Sequence, residues 1–133
     1  MVQVVAEKRE YSIKVDTEKN RVYLSINGFW GSVNQVSDYL SDWEKAVDLL
    51  EPGFTLLTDA REMKIHPAEV RELHKKAQKF IVDKGVAKVA ELQKEKISQI
   101  QLDGVSKETA MPKMNFNDSK EAELWLDKEL VTA

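Results

Sequence analysis

The chain has 133 residues, 42% hydrophobic and 32% charged, with a net charge of −3 and no cysteine. That balance suits one folded domain, 1–133, with residues 1–9 a loosely ordered N-terminal segment, and it excludes disulfides, thiolate catalysis and thiolate metal sites. No apolar run approaches a membrane span, and MVQVVAEKRE lacks the apolar core of a signal peptide, so the expected location is the cytoplasm.

The first regular stretch, "YSIKVDTEKNRVYLSING", has the pattern of a hairpin. Tyr11, Ile13 and Val15 alternate with polar residues, Thr17 to Asn20 supply the turn, and Val22, Leu24 and Ile26 alternate again. Gly28 and Gly31 bracket Phe29 and Trp30 and end the second strand. Ser32 is placed to cap a helix in which Val33, Val36, Leu40, Trp43, Val47 and Leu50 form one apolar face, and Pro52-Gly53 stops it. "FTLLTDA" is short and almost wholly apolar, which predicts a strand buried on both faces, followed by a charged turn after Asp59. A second helix is expected from Pro67, with Val70, Leu73, Ala77, Phe80 and Ile81 inward and Gly85 just past its end. "VAKVAEL" reads as a strand, and "ISQIQLDGVSKETAM" as a shorter helix interrupted near Gly104. "KMNFN" predicts a last short strand, and Asn117 or Asp118 would cap a final helix carrying Ala122, Trp125, Leu126 and Leu130. After the hairpin each strand is followed by a helix. The order predicts an α/β fold with a mixed, mainly parallel central sheet and helices on its faces.

This order resembles the STAS fold of sulfate transporters and anti-sigma factor antagonists, and more closely the SpoIIAA-like group, with distant kinship to lipid-binding Sec14-type domains. The stretches that carry the resemblance are the opening hairpin, the strand "FTLLTDA" ending in Asp59, and "FNDSKEAELWL" from Phe116 to Leu126. It spans nearly the whole chain through mostly core positions, so it concerns the fold, and fold does not fix function. The resemblance implies a non-catalytic protein-interaction or regulatory domain. In phosphorylatable relatives the turn after the central strand reads Asp-Ser-Ser-Gly; here it is Asp59-Ala60-Arg61-Glu62-Met63, and no Ser, Thr or Tyr occurs from Ala60 through Ile97. The family's phosphoserine therefore has no counterpart at that place. Thr58 is the nearest hydroxyl, inside the strand.

Several residues bear on chemistry. Asp59 stands at the carboxyl end of a parallel strand, the usual ligand crevice of such sheets; the competing reading is a carboxylate accepting backbone N–H groups in its turn. The kinship with lipid-binding domains implies an alternative role as a small-molecule or lipid carrier using this crevice. His66 and His74 lie eight apart, and on one helix they would stand ~12 Å apart along the axis, too far to share a metal. His66 then sits at the helix entry and His74 flanks the apolar face. Residues 61–96 carry more basic than acidic side chains, between two acidic thirds. Within them Arg71, Lys75 and Lys79 would form a basic ridge able to meet phosphate or an acidic protein face, beside an i,i+4 pair of Glu72 and Lys76 that marks a solvated surface. No aromatics interleave with these bases, and the overall balance is acidic, so nucleic acid is not an expected partner. Phe29 and Trp30 could be an exposed anchor or core plugs beneath the sheet edge. There is no Gly-rich phosphate loop, nucleophile elbow or zinc spacing, and neither cofactor nor metal is expected. The contact residues expected for a protein partner, or for a small apolar or anionic ligand, are Phe29, Trp30, Asp59, Arg61, Met63 and His66, provided their two loops open on the same end of the sheet. A homodimer through the aromatic loop or an apolar helix face is a further possibility.

Overall fold

The computed structural model describes residues 2–94 and 96–132, and the side chains of residues 97–98 and 129–132 lie outside that description. Its elements are β1 (Val2–Glu7), β2 (Tyr11–Asp16), β3 (Arg21–Gly28), α1 (Tyr39–Val47), β4 (Thr55–Met63), α2 (Ala68–Asp83), β5 (Lys88–Leu92), α3 (Lys96–Thr109), β6 (Lys113–Phe116) and α4 (Ser119–Thr132). The six strands form one sheet in sequence order. β1, β2 and β3 pair antiparallel, and β3 through β6 pair parallel, as the alternation of strands and helices requires.

The pleat divides the sheet's side chains between two unequal layers. Tyr11, Ile13, Val15, Val22, Leu24, Ile26, Leu56, Ala60 and Val89 belong to the larger core with residues of α1, α2 and α3, among them Trp43, Val70, Ala77, Ile81 and Leu102. Leu57, Ala90 and Leu92 face the other way and meet Ala122, Leu126 and Trp125 of α4. A strand with apolar residues on both faces is therefore explained by helices on both faces. Leu130, expected on the inner face of α4, has its side chain outside the described residues.

Five local expectations need correction. Residues 2–7 of the segment expected to be loose are the edge strand β1, in register with β2 from Val2↔Asp16 to Glu7↔Ser12 across an irregularity between Val4 and Ala6. The helix expected from Ser32 is broken: a 3-10 turn at Val33–Val36 precedes α1, and Ser32 makes no side-chain cap bond. Ser37 and Asp38, both common helix starters, stand at the break, and Asp38 takes Lys8 Nζ at 2.7 Å instead of capping. The charged turn after Asp59 is strand: β4 continues to Met63, with Ser25↔Asp59 followed by Asn27↔Glu62, so β4 carries one extra residue against β3. α3 runs through Gly104 without interruption. Lastly, α2 begins at Ala68 behind an extended Pro67, as expected with His66 at its entry, so His66 and His74 do not share one helix and their helical separation does not hold.

Candidate functional site

The carboxyl ends of β3 and β4 lie side by side, Gly28 opposite Met63, so the two loops that follow do open on one end of the sheet. Gly28 has φ +70°, the left-handed region that glycine enters without strain. Its carbonyl accepts Lys64 N at 3.0 Å and is 3.0 Å from His66 Nε2. That turn throws the two aromatics in opposite directions. Phe29 is 56% exposed, whereas Trp30 is fully buried with its indole N–H donating to the Glu10 and Asn27 carbonyls at 3.1 Å.

Under the turn lies a layer of rings. Trp30 stacks on His66 and His74 with centroids 5.0 Å apart, and the imidazoles are nearly parallel at 5.1 Å. Tyr39 meets Trp30 edge-on at 5.0 Å, and Tyr11 meets Tyr39 at 4.9 Å. Tyr11 also donates its hydroxyl to the buried Asp42 at 2.5 Å, so burial and that carboxylate push the phenol far above its usual range. His66 Nδ1 lies 2.8 Å from His74 Nε2. The helical separation expected for these histidines does not apply, because an extended Pro67 folds His66 back over the helix. Burial holds both imidazoles neutral: His66 is lowered, and His74, with His66 as a second cause, falls to about 3. With His66 Nε2–H donating to the Gly28 carbonyl, its Nδ1 is the acceptor and His74 Nε2–H the donor. Gln101 of α3 fastens the loop from the far side, accepting His66 N at 2.9 Å and donating to His66 O at 2.7 Å.

The expected contact residues thus divide. Phe29 stands on the surface, while Trp30, Met63 and His66 are buried and form its footing. Asp59 and Arg61 are partly exposed and hold each other: Arg61 donates Nε and Nη2 to the Asp59 carboxylate at 3.0 and 2.8 Å, and its backbone N–H at 3.1 Å. Arg61 in this way lowers the Asp59 pKa, with burial opposing it. The pair borders a crevice of about 240 Å³ on the α4 side, lined also by Tyr23, Ser119 and Glu123. On the basic ridge, Arg71 and Lys75 both reach Glu108 of α3, at 3.1 and 3.3 Å, so only Lys79 stands away from that carboxylate. Among the described residues no group of three potential metal ligands forms.

Sequence reasoning missed Ile65, 47% exposed in the loop beside His66. The signal was there: a lone branched apolar residue between Lys64 and His66-Pro67, with no helical or strand period to bury it. It also missed the buried polar residues beneath the rings, Glu91 and Gln78 among them, since each falls at an inward position of a pattern read only for its apolar members.

The order of strands, the opening antiparallel hairpin and the two-sided helices define the SpoIIAA-like fold. The chain is similar to an uncharacterised protein of the DUF3478 family with a SpoIIAA-like fold from Shewanella loihica, at 14% identity and a TM-score of 0.67, covering 91% of this chain and 97% of that one. It is also similar to an anti-sigma factor antagonist from Mycobacterium paratuberculosis, at 11% identity and a TM-score of 0.54, covering 96% and 95%. No family model and no curated protein matches the sequence. No described helix is long and apolar enough to cross a membrane.

Proposed function

We propose that the chain is a non-catalytic, STAS-like interaction domain that binds a protein partner through the end of the sheet carrying Phe29 and Ile65, without phosphoserine control. The observation that carries this is an exposed aromatic set on a rigid base. Phe29 protrudes from a turn whose neighbours Gly28, Trp30 and His66 are held by hydrogen bonds and ring stacking. An apolar anchor that is already ordered loses little entropy on binding, which is what recognition surfaces need. Resemblance in fold to an anti-sigma factor antagonist supports a regulatory role. The sequence from Ala60 through Ile97 offers no hydroxyl for the family's modification.

The carrier reading has less support. The crevice beside Asp59, at about 240 Å³, is smaller than the ~300–1,000 Å³ typical of ligand pockets, and Arg61, its most apparent anion ligand, is engaged by Asp59. Native-source copurification with the tagged chain separates the readings. A protein retained by wild type and lost with Phe29→Ala and Ile65→Ala supports the interaction domain. A small molecule seen by native mass spectrometry and lost with Arg61→Ala, with no retained protein, supports the carrier.

A further inference from the structure

A space of about 20 Å³ lies inside the larger core between α2 and strands β3, β4 and β5, and its lining includes five polar side chains. Thr58 and Glu91 come from directly opposed positions of β4 and β5. His74 and Gln78 come from successive turns of α2, and Tyr39 from α1. Each is buried, in a layer that also holds Leu24, Ile26, Leu56, Ala77, Ile81 and, from the α3 side, Leu102 and Met111. Polar groups so placed must be hydrogen-bonded to be tolerated, and several of their bonds are already accounted for. Gln78 Oε1 accepts Ser106 Oγ at 3.2 Å and Thr109 Oγ1 at 2.9 Å, which leaves the amide NH₂ as its remaining group. Glu91 Oε1 accepts Lys113 Nζ at 2.8 Å and Gln93 Nε2, which leaves Oε2. His74 uses Nε2 toward His66, which leaves Nδ1 as an acceptor.

We infer that this space is a binding site for one structural water molecule, held by His74, Thr58, Gln78 and Glu91. The volume exceeds the ~10–15 Å³ that a single water requires, and the site supplies the two to four polar partners that retain it. The polarity also matches. The water donates to His74 Nδ1 and to the Glu91 carboxylate, and accepts from the Gln78 amide and from the Thr58 hydroxyl, with the Tyr39 hydroxyl on the same wall. It extends the hydrogen-bonded series that starts at the Gly28 carbonyl and passes through His66 and His74, carrying it along the same face of the sheet to Glu91, Lys113 and Asp103 near the β5–β6 edge. The site therefore ties the turn under Phe29 to the β5–β6 edge, and it stands whether or not that turn binds a protein.

The test combines a high-resolution crystal structure of the wild-type chain with water relaxation dispersion on wild type and Thr58→Ile, a change that removes the hydroxyl and fills the space. The inference expects one density peak within ~2.7–3.2 Å of His74 Nδ1, Gln78 Nε2 and a Glu91 oxygen. It also expects the dispersion to fall by one long-lived water in the folded variant. A space without density, or a dispersion amplitude equal in the two proteins, overturns it. If the variant does not fold, the wild-type density alone decides.

Discussion

Lowering the pH should destabilise the fold through His74 by an amount that can be worked out in advance. Its imidazole is buried against Trp30 and His66, and its pKa is held near 3, against an ordinary 6.5. A depressed pKa means that the unfolded chain binds the proton and the folded chain does not, so the stability is complete above about 6.5 and is lost as pH falls toward 3. Between about pH 7.5 and pH 4.5, His74 should cost roughly 2.7 kcal/mol, two pH units below 6.5 at ~1.36 kcal/mol each. The figure barely depends on where below pH 4.5 the folded value lies, because it is set by protonation of the unfolded chain. The assay is urea unfolding of wild type and His74→Leu at both pH values, comparing the loss in each. The carboxylates are common to both proteins, and His66 is bonded directly to His74, so the difference between the losses reports the buried imidazole pair through its His74 member. Equal losses would refute the claim that the imidazole is buried and uncharged.

Trp30→Ala should cost ~3–5 kcal/mol in the same unfolding assay, as expected for a fully buried aromatic, whereas Phe29→Ala should change stability by less than ~1 kcal/mol. Similar costs for the two would mean that the turn does not divide them as described. Lys113→Met strands the buried Glu91 carboxylate and should cost ~3–5 kcal/mol, and adding Glu91→Leu should recover a large part of that loss; a double variant no better than the single would count against a buried ion pair. Gly85→Ala should destabilise measurably in a thermal melt, because Gly85 has φ +94° and an added Cβ would stand 3.3 Å from Pro52 Cβ; an unchanged Tm contradicts this.

What the sequence revealed followed its periodicities. The hairpin was legible because Tyr11, Ile13 and Val15, then Val22, Leu24 and Ile26, recur at every second position, and its turn because Asp16 and Asn20 flank it: Asp16 Oδ1 accepts Glu18 N and Lys19 N, and Asn20 adopts φ 53°. The ends of elements were less legible, since they depend on partners distant in sequence. β4 outruns its apolar stretch because β3 pairs with it up to Met63, and α1 starts late where Lys8 takes the Asp38 carboxylate. Arg21 shows the same limit. It reads as a polar residue at the start of a strand, yet it is fully buried, donating to Thr55 Oγ1 at 2.9 Å, Asp127 at 2.9 Å and Glu123, the two acids supplied by α4 about a hundred residues later. At the candidate site, the placing of the two loops on one end was a supposition of the sequence reading, met by the parallel pairing of β3 with β4. The pairing of His66 with His74 was not, because the extended backbone at Pro67 defeats helical spacing.

The claim that the Phe29 end of the sheet meets a protein is tested most directly by a photo-crosslinking amino acid placed at position 29 in the native cell, with a second at Leu49, exposed at the C-terminal end of α1. One discrete crosslinked protein is expected from position 29, lost when Ile65 is changed to Asp, and none from position 49. Crosslinks that are absent from position 29, or identical from both positions, would contradict it.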